Sequence, residues 1–399
     1  MPSIIYEQRT IHFPFNINSR LGELYVSFAI RNFALGLVVI FEPIYVYLFF
    51  SENITLTFLY FGLLLFLTGI LSPFGGKVVS RVGIKHSMLL SVPFTVAYYI
   101  GLWQIEKFGI YAYFLTIFSA LSVVFYWIAF HTDFSQFSER RKRGRQTSYM
   151  MLVTSFFASI SPFLGGFIIT EAGFGILFAV VAILLLVSIA PLAISPDMRE
   201  KYRDSYLTTF CDVAKRKYRF KTFAFVGEGS NKIAGGLVWP LYLFFIAISF
   251  KELGIIVSAA LLVGMIFTFI MGYLADRYGA RKMLKFGAFV QAVLWPARAF
   301  AHSPVDAFVI QSAHNGLGQM ASVSFLTLFY NWAGLDGETR NKFVVFRELV
   351  MNGSAGIFLF IYAFVFAVID LRWAFIITAF LSLLMVFMAF QSRTKKAHV

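Results

Sequence analysis

Apolar residues fall into twelve runs, each long enough to cross a bilayer as a helix: 21–50, 54–76, 85–106, 109–134, 146–171, 175–194, 222–250, 252–275, 283–303, 305–332, 341–369 and 371–391. A helix needs about 20 predominantly apolar residues to cross the hydrocarbon core. Most connections between runs are short. One is not: residues 195–221, SPDMREKYRDSYLTTFCDVAKRKYRFK, are polar, with eight basic and four acidic side chains. They part the chain into an N-terminal unit, 1–194, and a C-terminal unit, 222–399, with six runs in each. The pattern predicts an all-α membrane protein of twelve transmembrane helices.

Composition removes the alternatives. Of 399 residues, 59% are hydrophobic and 14% charged, and the mean hydropathy is +0.76. So few charges cannot cover a soluble surface, which excludes a disordered chain, a nucleic-acid module and an ordinary cytosolic enzyme. The net charge of +14 is not a nucleic-acid face, because 27 of the 34 Lys and Arg lie in loops on one side and three on the other. By the positive-inside rule both termini are cytoplasmic, and a plasma-membrane location is expected. The basic central loop reads mainly as a topology signal, with contact to anionic lipid headgroups the lesser reading. The first 20 residues lack an apolar core and a small-residue cleavage site, so they read as retained. The single cysteine, Cys211, and six scattered histidines offer no disulfide framework and no metal-ligand spacing; no cofactor is expected.

The two halves repeat. GKVVSRVGIK at 76–85 corresponds to GYLADRYGARK at 272–282, and EPIYVYLFF at 42–50 corresponds to WPLYLFFIA at 239–247, at offsets of 196 and 197. Two matches at nearly one offset point to two pseudo-symmetric six-helix bundles, a known way to build a transporter with its site between the halves.

These residues resemble the major facilitator superfamily, whose cytoplasmic signature between its second and third helices is G-x-L-a-D-R-x-G-R-K. Gly272, Leu274, Asp276, Arg277, Gly279, Arg281 and Lys282 fit it; Gly76, Arg81, Gly83 and Lys85 keep it in the first half, with Ser80 where the Asp belongs. The resemblance implies a cytoplasmic gate at Gly76, Ser80, Arg81, Gly83, Gly272, Asp276, Arg277, Gly279 and Arg281. A carboxylate there can sit at the positive end of a helix. Ser80 carries no charge, so the first-half latch is expected to be the weaker. SPFLGG at 161–166 resembles the tail of the family's antiporter pattern, with Ser161 in place of its first Gly; Pro162, Gly165 and Gly166 read as a kink and close packing.

Charges at bilayer depth each need a reason. Arg31 lies ten residues into its run, about 15 Å deep, and Glu42 follows eleven residues later, close to three turns of one continuous helix. At the repeat offset Arg31 corresponds to Glu228 and Glu42 to Trp239. Arg31, Glu42, Glu228, Lys232 and Trp239 are therefore expected to line a central substrate and proton cavity, with Glu42 or Glu228 accepting the proton. The alternative is a local Glu228–Lys232 pair with Arg31 locking the halves. Gln311, His314, Asn315, Gln319 and Ser322 form a polar stripe on one helical face, and Tyr126 and Trp127 a weaker one. They join the expected cavity, helix–helix hydrogen bonding being the other reading. Glu23, Arg298 and Arg347 lie near run ends and read as anchors.

The expected function is secondary active transport of a small organic solute by alternating access, proton-coupled, with export slightly favoured over import. The expected partners are the solute, protons and membrane lipid, with no nucleic acid, and the chain is read as a monomer. Uncoupled facilitation of a polar solute is the alternative mechanism; a lipid flippase or a non-transporting receptor on the same fold stand behind it. GGKV at 75–78 fails the phosphate-loop pattern twice, so no ATP site drives the process. Four basic against at most five acidic intramembrane groups select neither anions nor cations.

Overall fold

The computed structural model describes residues 20–138, 143–191, 197–202, 204–247, 249–333 and 340–390. Fifteen α-helices are described: α1 (Arg20–Gly36), α2 (Glu42–Phe49), α3 (Ile54–Val82), α4 (Ile84–Trp103), α5 (Leu115–Phe137), α6 (Arg143–Val187), α7 (Tyr206–Ala214), α8 (Arg219–Ile233), α9 (Trp239–Ile246), α10 (Phe250–Tyr278), α11 (Ala280–Ala297), α12 (Pro304–Leu317), α13 (Gln319–Trp332), α14 (Arg340–Val365) and α15 (Trp373–Ser382). Apart from α7, which lies in the central loop, they and the short 3₁₀ and π turns fall on the apolar runs of the sequence. Among the described residues, five helical stretches are long and apolar enough to cross a membrane alone. Passes 1 and 7 are broken.

The breaks follow from sequence. A proline lacks the N–H for the helical ladder and its ring crowds the preceding turn. Pass 1 therefore divides between α1 and α2, with Pro43 in the first turn of α2. Pass 7 divides between α8 and α9 through a π turn at Ala234–Val238, with Pro240 in the first turn of α9. Pro43 and Pro240 are equivalent at the repeat offset, so both halves interrupt their first pass alike. The single helix expected over 21–50 is thus corrected to two. Passes 5 and 6 are joined in α6 at Gly173, whose backbone is left-handed (φ 80°).

The halves meet through symmetry-related pairs. Helix α3 packs along α14, and α6 along α10. Exchanging the halves converts one pair into the other, which is what a two-fold repeat requires. Small residues permit the approach. A Cβ on Gly69 would sit 2.6 Å from the backbone N of Gly353, and one on Gly166 would sit 2.4 Å from the carbonyl oxygen of Phe250. The halves touch at both ends of the bundle. At the end carrying Asn53, the ring of Tyr47 meets Phe245 edge-on at 5.8 Å. At the end carrying Gly83, Phe134 lies 4.5 Å from Tyr330, and Asn341 Nδ2 donates to the Gly76 carbonyl at 3.1 Å.

The central loop docks rather than hanging free. Ser205 caps α7 by accepting from the N–H of Thr208 at 3.2 Å. Lys342 Nζ then pairs with Asp204 at 3.0 Å and Asp212 at 3.2 Å, tying α7 to α14.

Candidate functional site

Between the halves lies a cavity of about 590 Å³, inside the range of small-molecule sites. Of the residues singled out in the sequence, Glu228, Lys232, Gln311, His314, Asn315 and Trp127 line it. Arg31, Glu42, Trp239, Gln319 and Tyr126 are not among its lining residues. Arg298, Arg347, Glu348, His131, Asn231, Gln291 and Trp295 are.

The charged centre joins four helices. Arg347 Nε donates to Glu228 Oε2 at 3.0 Å, and its Nη2 binds Glu228 Oε1. Arg347 Nη1 donates to Glu348 Oε1 at 2.6 Å and lies 3.1 Å from His131 Nε2. Arginine only donates, so Nε2 accepts and His131 Nδ1 carries its hydrogen toward the Tyr330 hydroxyl, 2.7 Å away. Lys232 Nζ donates to Asn352 Oδ1 at 2.6 Å, and Asn352 Nδ2 donates to Glu348 Oε2 at 2.8 Å. Arg347 is 6% exposed and Glu348 2%. Arg347, read from sequence as an anchor, is thus corrected to the hub of a buried network, and Lys232 pairs with Asn352 rather than closing a local bridge to Glu228.

A second polar group faces the same void. Arg298 is 2% exposed, not snorkelling as expected. Its guanidinium carbon lies 4.6 Å from the ring centre of Trp239 and 4.4 Å from that of Trp295. Arg298 Nη2 donates to Gln311 Oε1 at 2.9 Å, and Gln311 Nε2 donates to Asn315 Oδ1 at 3.2 Å. Trp295 Nε1 donates to Asn231 Oδ1 at 2.6 Å, and the His314 ring packs on Trp295 at 4.5 Å. Gln319 lies at the start of α13, and its buried Oε1 has no partner among the described residues.

Arg31 and Glu42 lie elsewhere because pass 1 is broken between them. Glu42 accepts from Tyr98 at 2.7 Å and Tyr99 at 3.1 Å. Arg31 is buried 3.8 Å over the ring of Tyr126. Both are thus held within the first half.

The gate positions are partly described. Gly83 (φ 101°) and Gly279 (φ 86°), equivalent by the repeat, both take the left-handed backbone that favours glycine. Ser80 Oγ accepts from the N–H of Tyr202 at 3.2 Å. A carboxylate reaches this helix end from Asp197: its Oδ1 accepts from the N–H of Lys85 at 2.9 Å, in the first turn of α4, and its Oδ2 meets His86 Nδ1 at 2.7 Å. Ser80 itself is uncharged, and Asp197 brings to this helix end a charge that the local motif does not show. Gly76 lies against α14, where an added Cβ would meet Val345 at 2.6 Å. Arg81, Arg277 and Arg281 are surface residues of these turns. The surroundings of Gly272 and the side chain of Asp276 lie outside the described residues.

Among the described residues no cluster of three His, Cys, Asp or Glu suits a metal ion.

With the cavity between related halves in view, the comparisons take their place. The sequence matches the family model of the Major Facilitator Superfamily over residues 20–213 and 223–399. The chain belongs to that superfamily: it is a multi-pass membrane transporter, not an enzyme. No curated protein sequence matches it. Among solved structures it is similar to the E. coli fucose:proton symporter FucP, at 16% identity and TM-score 0.67, covering 94% of this chain and 98% of that one. It is similar also to the human organic anion transporter MFSD10, at 10% identity and TM-score 0.68, covering 92% and 98%. FucP in its outward conformation is matched at 14% identity and TM-score 0.66, over 94% and 99%. At these identities the likeness is one of fold.

Proposed function

We propose that the chain is a proton-coupled secondary active transporter of a small organic solute, working by alternating access, with export favoured over import. Its basic loops and both termini face the cytoplasm, at the plasma membrane. One observation carries the reading: two carboxylates, the buried Glu348 and the half-buried Glu228, share one arginine beside a central cavity. Protonating one carboxylate would weaken its hold on Arg347 and leave the other paired. Because Glu228 is on α8 and Arg347 on α14, that event bears on packing within the second half, and His131 carries it to the first half through α5. A proton and a conformational change would thus be linked. That FucP is a fucose:proton symporter is consistent with such coupling in this fold.

The test is reconstitution in proteoliposomes, with solute flux and internal pH followed together under an imposed pH gradient. Solute movement against its own gradient is expected in the native chain and lost in Glu228→Gln/Glu348→Gln, with passive exchange retained. Accumulation undiminished in the double variant would refute the coupling. The uncoupled reading has one observation in its favour: Arg347 already neutralises much of the charge of both carboxylates, so the triad also makes sense as a fixed strut.

A further inference from the structure

We propose that the cavity selects organic anions, and that Arg298 is the group that binds the anionic head. The inference rests on the cavity being the transport site and adds the class of solute. The cations of the cavity wall differ in one respect. Arg347 is shared by Glu228 and Glu348. Lys232 donates to Asn352, whose amide is itself held by Glu348. Arg298 has no carboxylate partner among the described residues. Its Nε and Nη1 are buried and make no hydrogen bond there. A buried guanidinium with unmet N–H groups is costly unless a ligand completes it.

The neighbours favour a negative ligand in particular. Arg298 gives one N–H to Gln311 Oε1, and Gln311 gives its amide to Asn315 Oδ1. This one-way relay consumes both amide oxygens. What remains at its end is Asn315 Nδ2, a donor with no partner among the described residues. Arg298 and Asn315, both lining residues of the cavity, therefore keep buried, unmet donors at its wall, an arrangement suited to a carboxylate. Trp239 and Trp295 hold the guanidinium in place by stacking. Beyond this polar corner the wall carries Phe28, Trp127, Phe325 and Met351, which suits a flat apolar body. The class is an aromatic or otherwise apolar solute bearing one carboxylate.

Naphthoate, its neutral amide and the cationic naphthylmethylamine serve as probes of nearly equal shape. Binding to the purified full-length chain is measured in detergent by calorimetry, with no pH gradient. Naphthoate is expected to bind at least about tenfold more tightly than either analogue, and Arg298→Gln to remove that preference. Asn315→Asp is the second variant: it keeps the oxygen that Gln311 binds and replaces the free donor with a second oxygen. It too should weaken naphthoate at least about tenfold while the ligand-free protein melts as before. Equal or tighter binding of the amine, no binding of naphthoate, or unchanged naphthoate affinity in both variants would overturn the proposal. The two readings fail separately. Lost coupling would leave this equilibrium preference standing, and lost anion preference would leave proton-driven flux of another solute standing.

Discussion

Arg347, on α14, donates through Nε to Glu228 on α8 at 3.0 Å while holding its own neighbour Glu348 at 2.6 Å. Removing the partner of a buried charge costs more than the pair is worth, because the survivor stays desolvated. Arg347→Ala leaves the buried Glu348 in that position and Glu228 half so, and should destabilise the protein by about 3–5 kcal/mol. Glu228→Gln should cost less, and the Arg347→Ala/Glu228→Gln pair should cost less than the sum of its parts. Unfolding in detergent measures all three; additive losses would mean that the two side chains do not interact.

Glu42 separates proton coupling from structural burial. Its carboxylate is held by two tyrosine hydroxyls inside the first half, away from the cavity lining. Glu42→Ala would leave those hydroxyls without their acceptor, at about 1–3 kcal/mol of stability. Glu42→Gln keeps an acceptor oxygen and should retain pH-driven transport. Loss of coupling in a well-folded Glu42→Gln protein would move the proton site from the Glu228 and Glu348 pair to Glu42.

Asp197 caps α4 from the central loop. Loss of a side-chain cap costs about 0.5–2 kcal/mol, so Asp197→Ala should lower the melting point modestly. A second carboxylate placed nearby should recover part of that loss, and Ser80→Asp is the natural choice because the second half carries Asp276 there. Thermal melts of the single and double variants decide this. If the double variant is no more stable than Asp197→Ala, the two carboxylates do not serve the same helix end.

Gly69 tests the contact between halves. Its missing Cβ lets α3 approach the Gly353 backbone. Gly69→Leu should force α3 and α14 apart and abolish transport, with secondary structure by circular dichroism retained. Solute flux in proteoliposomes, measured beside the dichroism, checks this. Undiminished flux in Gly69→Leu would show that the seam tolerates the bulk.

The fold was legible because each bilayer pass must be apolar for about 20 residues, whatever packs beside it. The repeat was legible because two motifs recur at one offset. The cavity lining was legible from a helical face in the stripe of Gln311, His314 and Asn315, and from the repeat offset in Glu228. Glu42 was misplaced because its eleven-residue spacing from Arg31 assumed one continuous helix, and pass 1 breaks between them. Arg298 and Arg347 were misread because distance from a run's end does not report which neighbours a side chain meets. Asp197 was missed because a local motif cannot show a substitute supplied from a segment far along the chain.

That substitute has a practical side. The anion that completes the first turn of α4 travels with the connecting segment. A first half severed before Asp197 is therefore not a self-sufficient unit. A chimera that swaps halves between related carriers would inherit the turn from one parent and its counter-charge from the other, unless the crossover falls beyond Tyr202.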